Sequence, residues 1–343
     1  MNKYLKLIPA VGIALALFLV GNGCGGGGDD KKGNGPAPGP NPTPGPSITG
    51  GPGVYVAGIA AGATLWKNGK RYDLPSNPGS TYSVGTANSV YVSGNDVYVA
   101  GYARNDSTLR DNAMVWKNGV AQRLSDEHSS AQSIFVSGSD VYVAGDIFVE
   151  GAVKKAILWK NGVAQQLAVG MAATCNSVFV SGSDVYVAGI SDYLVAPVLW
   201  KNGVAQQMGN TSGYGMTSFT SVFVNGNDVY VAGSNPLRNQ TGFWKNGAFQ
   251  VLSNTSGFTT SVFVSGNDVY VDGKGPDATL WKNGVPQKLD DNFSPRSIYV
   301  HNNDVYIAGN NGPFAGLWKN GVYQNLEDSN TTGATQAYSV FVR

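Results

Sequence analysis

The tetrapeptide Trp-Lys-Asn-Gly occurs seven times, with its Trp at Trp66, Trp116, Trp159, Trp200, Trp244, Trp281 and Trp318, and the chain has no other Trp. Successive copies are 50, 43, 41, 44, 37 and 37 residues apart. Two more motifs keep step with it. One resembles Ser-Val-Phe-Val and starts at Ser89, Ser133, Ser177, Ser221, Ser261, Ser297 and Ser339. The other, close to Val-Tyr-Val-Ala-Gly, carries Tyr55, Tyr98, Tyr142, Tyr186, Tyr230, Tyr270 and Tyr306. Three motifs, each present seven times at a period near that of one supersecondary unit, restrict the chain to an array of like units.

Each unit reads as four short strands. In the stretch from Ser133, Ser-Ile-Phe-Val is followed by Gly138-Ser139-Asp140 and then Val141-Tyr-Val-Ala-Gly145. After a variable stretch come Ile157-Leu-Trp-Lys160, Asn161-Gly162 and Val163-Ala-Gln-Gln-Leu167. β-Branched and aromatic residues suit strands, and Asn-Gly between two apolar runs is a hairpin signal because both residues take positive φ cheaply. The strands show little alternation, as expected of sheets buried on both faces. The chain holds 47 Gly and only 13% charged residues, which fits many turns and few helices.

The ends complete one another. The first unit, from Val54, lacks a Ser-Val-Phe-Val strand, and the chain finishes on that strand alone, Ser339-Val-Phe-Val-Arg343. An open solenoid calls for capping repeats and gives no reason for complementary ends. The expected fold is therefore all-β: a seven-bladed β-propeller over residues 54–343, with four-stranded antiparallel blades, closed by the C-terminal strand completing the first blade.

Residues 1–23 read as an export signal, with Lys3 and Lys6 ahead of a 14-residue apolar run, Leu7–Val20. That run is shorter than the roughly 20 residues of a spanning helix. Gly21-Asn22-Gly23-Cys24 follows and resembles the lipobox of bacterial lipoproteins, although Gly21 stands where that family carries an aliphatic residue. The resemblance implies lipidation of Cys24; ordinary cleavage and an uncleaved anchor are the alternatives. Gly25 occupies the place where an Asp marks inner-membrane retention in enteric lipoproteins, so the resemblance implies the outer membrane. Residues 24–53, with seven Pro from Pro36 to Pro52, read as the lipidated Cys and an extended linker. With residues 1–23 removed, 21 basic residues face 22 acidic ones, so no charge excess calls for a nucleic acid. The only other cysteine, Cys175, reads as a small buried hydrophobe.

Over residues 54–343 the pattern is similar to bacterial seven-bladed propellers as an architecture, without the Gly-His and Trp-Asp signature of WD40 proteins or the kelch pattern. The Trp-Lys-Asn-Gly repeat resembles that of bacterial surface lipoproteins, a likeness that carries no activity with it.

Repeated aromatics at fixed strand positions read as filling between blades. The repeated Asp96, Asp140, Asp184, Asp228, Asp268 and Asp304 stand singly in turns, without the alternating oxygen ligands of a calcium loop, and read as carboxylates bonding turn amides. Two histidines, no phosphate loop and no His-Glu-x-x-His leave no catalytic set, no metal site and no cofactor to name. In an up-and-down blade the short Gly-Asn-Asp and Lys-Asn-Gly turns share one face of the disc, and all variable links fall on the other. Binding residues concentrate on loops held by a rigid scaffold, so the variable face is the candidate site. Its repeat-breaking residues are Tyr82, Tyr214, Phe219, Phe258, Phe293 and Tyr338, with His128 and Arg296 as polar contacts. A polar collar is expected from Asn88, Gln132, Asn176, Thr220, Thr260, Arg296 and Tyr338. The leading expectation is an envelope protein that binds a protein partner. A glycan-binding protein, a polysaccharide-acting enzyme and a plain structural spacer are the other readings.

Overall fold

In a computed structural model, residues 47–343 are described except 77–83, 106–107, 150–152, 169–171, 192–195, 207, 209–217, 234–239, 276 and 328–332. The signal segment, Cys24, Tyr82 and Tyr214 lie outside the described residues. The described chain forms seven four-stranded antiparallel sheets and no helix. Six sheets take their strands in chain order; the second, for example, runs Gly85–Ser93, Asp96–Asn105, Arg110–Lys117 and Val120–Arg123. The seventh sheet begins with the last strand of the chain, Gln336–Val342, followed by Val54–Ile59, Ala63–Lys67 and Lys70–Asp73. The C-terminal strand thus supplies the innermost strand of the first blade, and the ring closes.

The repeat accounts for the local geometry. In all seven Asn-Gly turns both residues have positive φ, for example 54° at Asn118 and 85° at Gly119, as the mirror-image hairpin turn requires. All seven Trp are buried, and neighbouring blades share apolar clusters, such as Tyr98, Val115, Ile134, Val143 and Trp159. Outermost strands such as Val163–Gln166 are exposed throughout. The Gly closing each Val-Tyr-Val-Ala-Gly strand has a packing reason: a Cβ on Gly101 would lie 1.9 Å from the Thr86 carbonyl oxygen.

Innermost strands begin before their Ser, towards the variable face, and carry a β-bulge. In the second blade Ala87 pairs with Gly101 and Ser89 with Ala100, so Asn88 has no partner. The same slip isolates Gln132, Asn176, Thr220, Thr260, Arg296 and Tyr338. The expected collar is therefore the set of seven bulge residues, and a bulge re-aims the side chain it frees.

Candidate functional site

The two faces of the disc differ in chemistry. On the face of short turns, Asp96 at the start of the second strand holds Lys117 Nζ at 2.7 Å and accepts from Asn118 Nδ2 at 2.7 Å. Tyr98 OH donates to the same carboxylate, and the Lys117 ammonium lies 5.2 Å from the Tyr98 ring centroid. The remaining five repeated Asp hold their Lys at 2.7–2.8 Å. The hydrogen bonds from Lys and Asn hold each carboxyl below its ordinary range. These carboxylates tie two turns together through side chains instead of bonding turn amides. The first blade has Gly53 in place of this Asp; there Lys67 Nζ donates to the Thr49 carbonyl at 2.8 Å.

Two closed rings surround the axis. Each innermost Ser accepts a backbone N–H from the next blade: Ile134 donates to Ser89 Oγ at 3.2 Å and Val178 to Ser133 Oγ at 3.1 Å. The series continues round to Val340 on Ser297 and Val90 on Ser339. Two residues further along each strand stand Tyr91, Phe135, Phe179, Phe223, Phe263, Tyr299 and Phe341, each in contact with the next. Their centroids are 4.7–4.9 Å apart and their planes differ by 48–52°. That angle matches one seventh of a turn, which holds only if the ring planes run along the axis. Seven such centroids lie on a circle of about 5.5 Å radius. Burial raises the pKa of Tyr91 and lifts that of Tyr299 to about 12, with Tyr91 adding to the latter.

On the variable face, Arg296 and Tyr338 are brought together, with the guanidinium carbon 6.0 Å from the phenol centroid. Tyr338 OH also bonds Gln336 Oε1. His128 is stacked on Phe148, 4.2 Å between centroids and 13° between planes, and Lys154 Nζ covers the Phe148 ring at 4.8 Å. Phe258 is exposed. Other collar residues turn to the next blade: Asn88 Nδ2 donates to the Ala131 carbonyl at 2.8 Å, Asn176 to that of Phe219 and Thr220 to that of Thr259.

Phe219 and Phe293 correct the expectation. Both are fully buried, Phe219 against Trp244 at 4.9 Å and Phe293 near Tyr323 at 6.1 Å. They lie inside innermost strands that reach further towards the variable face than the Ser motif suggests, so neither side chain can meet a ligand. Phe148 and Lys154 were missed, since a cation and an aromatic six residues apart on facing strands leave no linear motif.

Beneath this face are buried polar groups that differ from blade to blade. Asp146 accepts the Cys175 amide at 2.9 Å, and burial pushes its carboxyl up to about 7. Cys175 is buried and unpaired, and desolvation holds its thiol in the neutral form. Asp272 stands where six blades have a buried Ala; it accepts from Thr260 Oγ1 at 2.8 Å, and burial lifts it too to about 7. Among the described residues no three His, Cys, Asp or Glu side chains gather as metal ligands.

No family model and no curated protein matches the chain. Solved structures do. The acylaminoacyl peptidase of Pyrococcus horikoshii aligns at TM-score 0.50 and 13% identity, over 82% of this chain and 52% of the peptidase. The chain therefore spans about half of that enzyme. A computationally designed protein, Ika8, aligns at 0.49 and 16% identity over 87% of this chain and 90% of its own. The β-propeller domain of the Trilobed protease from Pyrococcus furiosus aligns at 0.49 and 10% identity, over 83% and 96%. The likeness is one of fold alone.

Proposed function

We propose that the chain is a non-catalytic binding module of a bacterial cell envelope, held to the membrane through lipidated Cys24, whose variable-loop face takes a protein partner. The supporting observation is the contrast between the faces. The short-turn face repeats one saturated Asp–Lys–Asn–Tyr arrangement in six blades. It also receives the incoming chain, since Gly50 N–H bonds the Asn95 carbonyl and Gly53 pairs with Arg343. On the opposite face the repeat is broken by side chains suited to recognition: the Arg296–Tyr338 pair, the His128–Phe148–Lys154 stack and exposed Phe258. Aromatic and Arg side chains of this kind carry much of the energy in protein interfaces.

The experiment is affinity capture from envelope extract with the native chain and with a chain whose variable loops are scrambled. A protein held only by the native chain, and rebound after purification, supports the proposal; identical retrieval by both removes it. The same aromatic platforms favour a glycan as the second reading, and saturable sugar binding by the purified chain would decide for it.

A further inference from the structure

The segment Ser47–Gly50 crosses the outer end of the cleft between the first and second blades. Ile48 N–H donates to the Asn118 carbonyl at 3.4 Å, Gly50 N–H to the Asn95 carbonyl at 2.8 Å, and Lys67 Nζ to the Thr49 carbonyl at 2.8 Å. The Ile48 side chain is only 2% exposed and shares one buried cluster with Tyr55, Leu65, Leu74, Val97 and Val99. Gly50 leaves no space for a side chain, because a Cβ there would come within 2.7 Å of the Asn95 backbone. The chain thus shows how one of its inter-blade clefts takes an extended peptide: an aliphatic anchor in the cleft, small residues beside it, backbone bonds to two turns.

The repeat builds the same receptor again. Between the second and third blades is a cleft of about 250 Å³ lined by Tyr98, Val115, Leu124, Val141 and Val143. These are the repeat equivalents, one for one, of the five residues clustered with Ile48. Ser139 and Asn161 line it where Asn95 and Asn118 hold the segment in the first cleft; Lys117, at the place of Lys67, is held by Asp96. Between the fifth and sixth blades a second cleft, about 210 Å³, is lined by Phe243, Leu252, Val269, Val271 and Asn283.

We propose that these two clefts are docking sites for an extended peptide segment of a partner, carrying an Ile-like aliphatic anchor flanked by small residues. It binds as the chain's own Ser47-Ile-Thr-Gly50 does. The sites lie at the rim of the short-turn face and are independent of the variable face.

The test uses a fluorescent peptide of residues 45–51, Gly-Pro-Ser-Ile-Thr-Gly-Gly, its Ile48→Asp version, and a version with a photoreactive group at Thr49, each added to the full chain. One anchor and a few hydrogen bonds give saturable but weak binding, with Kd on the order of 0.1–1 mM, weakened at least about tenfold by the Asp. Cross-links are expected at the two clefts. Ser139→Tyr, an exposed turn substitution, should remove the cross-links between the second and third blades and leave those between the fifth and sixth. A full chain carrying Ile48→Asp should release its own segment and gain one binding site. Absence of saturable binding to either chain, equal binding of the Ile and Asp peptides, or cross-links elsewhere would overturn the proposal.

Discussion

Replacing Asp272 with Ala should stabilise the protein, and by an amount that depends on pH. The carboxyl is fully buried with no cation beside it, and burial lifts it to about 7 from an ordinary 3.8. Between about pH 4 and pH 7 the folded state therefore keeps a proton that the unfolded chain releases. Stability falls as pH rises through this window, by about 1.4 kcal/mol per pH unit, and levels off above it. The accumulated cost at pH 8 is about 4 kcal/mol, of which about 3 kcal/mol arises between pH 5 and pH 8. Ala fits the site, since Ala57, Ala100, Ala144, Ala188, Ala232 and Ala308 fill the same place in the other blades with no exposure. Thr260, released, can turn to the next blade as Thr220 does to the Thr259 carbonyl. Thermal melts of both proteins from pH 5 to pH 8 measure the effect. The Asp272→Ala variant should melt about 8 °C higher at pH 8, with the gap shrinking by about 5 °C at pH 5. Asp146 keeps its own, similar slope in the variant, so the pH dependence is reduced and does not vanish. A gap that ignores pH, or a variant that melts lower at pH 8, would refute the reasoning.

Other substitutions probe the ring. Gly101→Ala drives a Cβ into the Thr86 carbonyl and should cost about 3 kcal/mol or more, read from denaturant midpoints. Ser133→Ala removes the acceptor of the Val178 amide and should cost about 1–2 kcal/mol by the same assay. Deleting residues 336–343 removes the innermost strand of the first blade together with Ser339 and Phe341, so both rings open. Loss of a single cooperative melt is the expected outcome, followed by circular dichroism.

The repeat made the architecture legible because every blade solves the same packing problem with the same residues. Trp, Tyr and the Asn-Gly turn recur in register, and complementary ends announce closure. The candidate face was legible as the place where the repeat fails, but its details were not. Phe219 and Phe293 break the repeat as exposed contacts would, yet they plug gaps between blades. Asp272 was visible as an Asp in a column of Ala, a signal apparent once the seven Val-Tyr-Val-Ala-Gly copies are set side by side. Ile48 was hidden by its setting, because a lone aliphatic residue in a Pro- and Gly-rich stretch reads as linker until the cleft that buries it is in view.

The most direct test of the proposed function is hydrogen exchange on the native chain with and without the purified protein that it captures. Slowed exchange is expected in the variable links near His128, Phe258 and Arg296. Protection confined to the short-turn face, with the variable links unaffected, would contradict the assignment of the binding face.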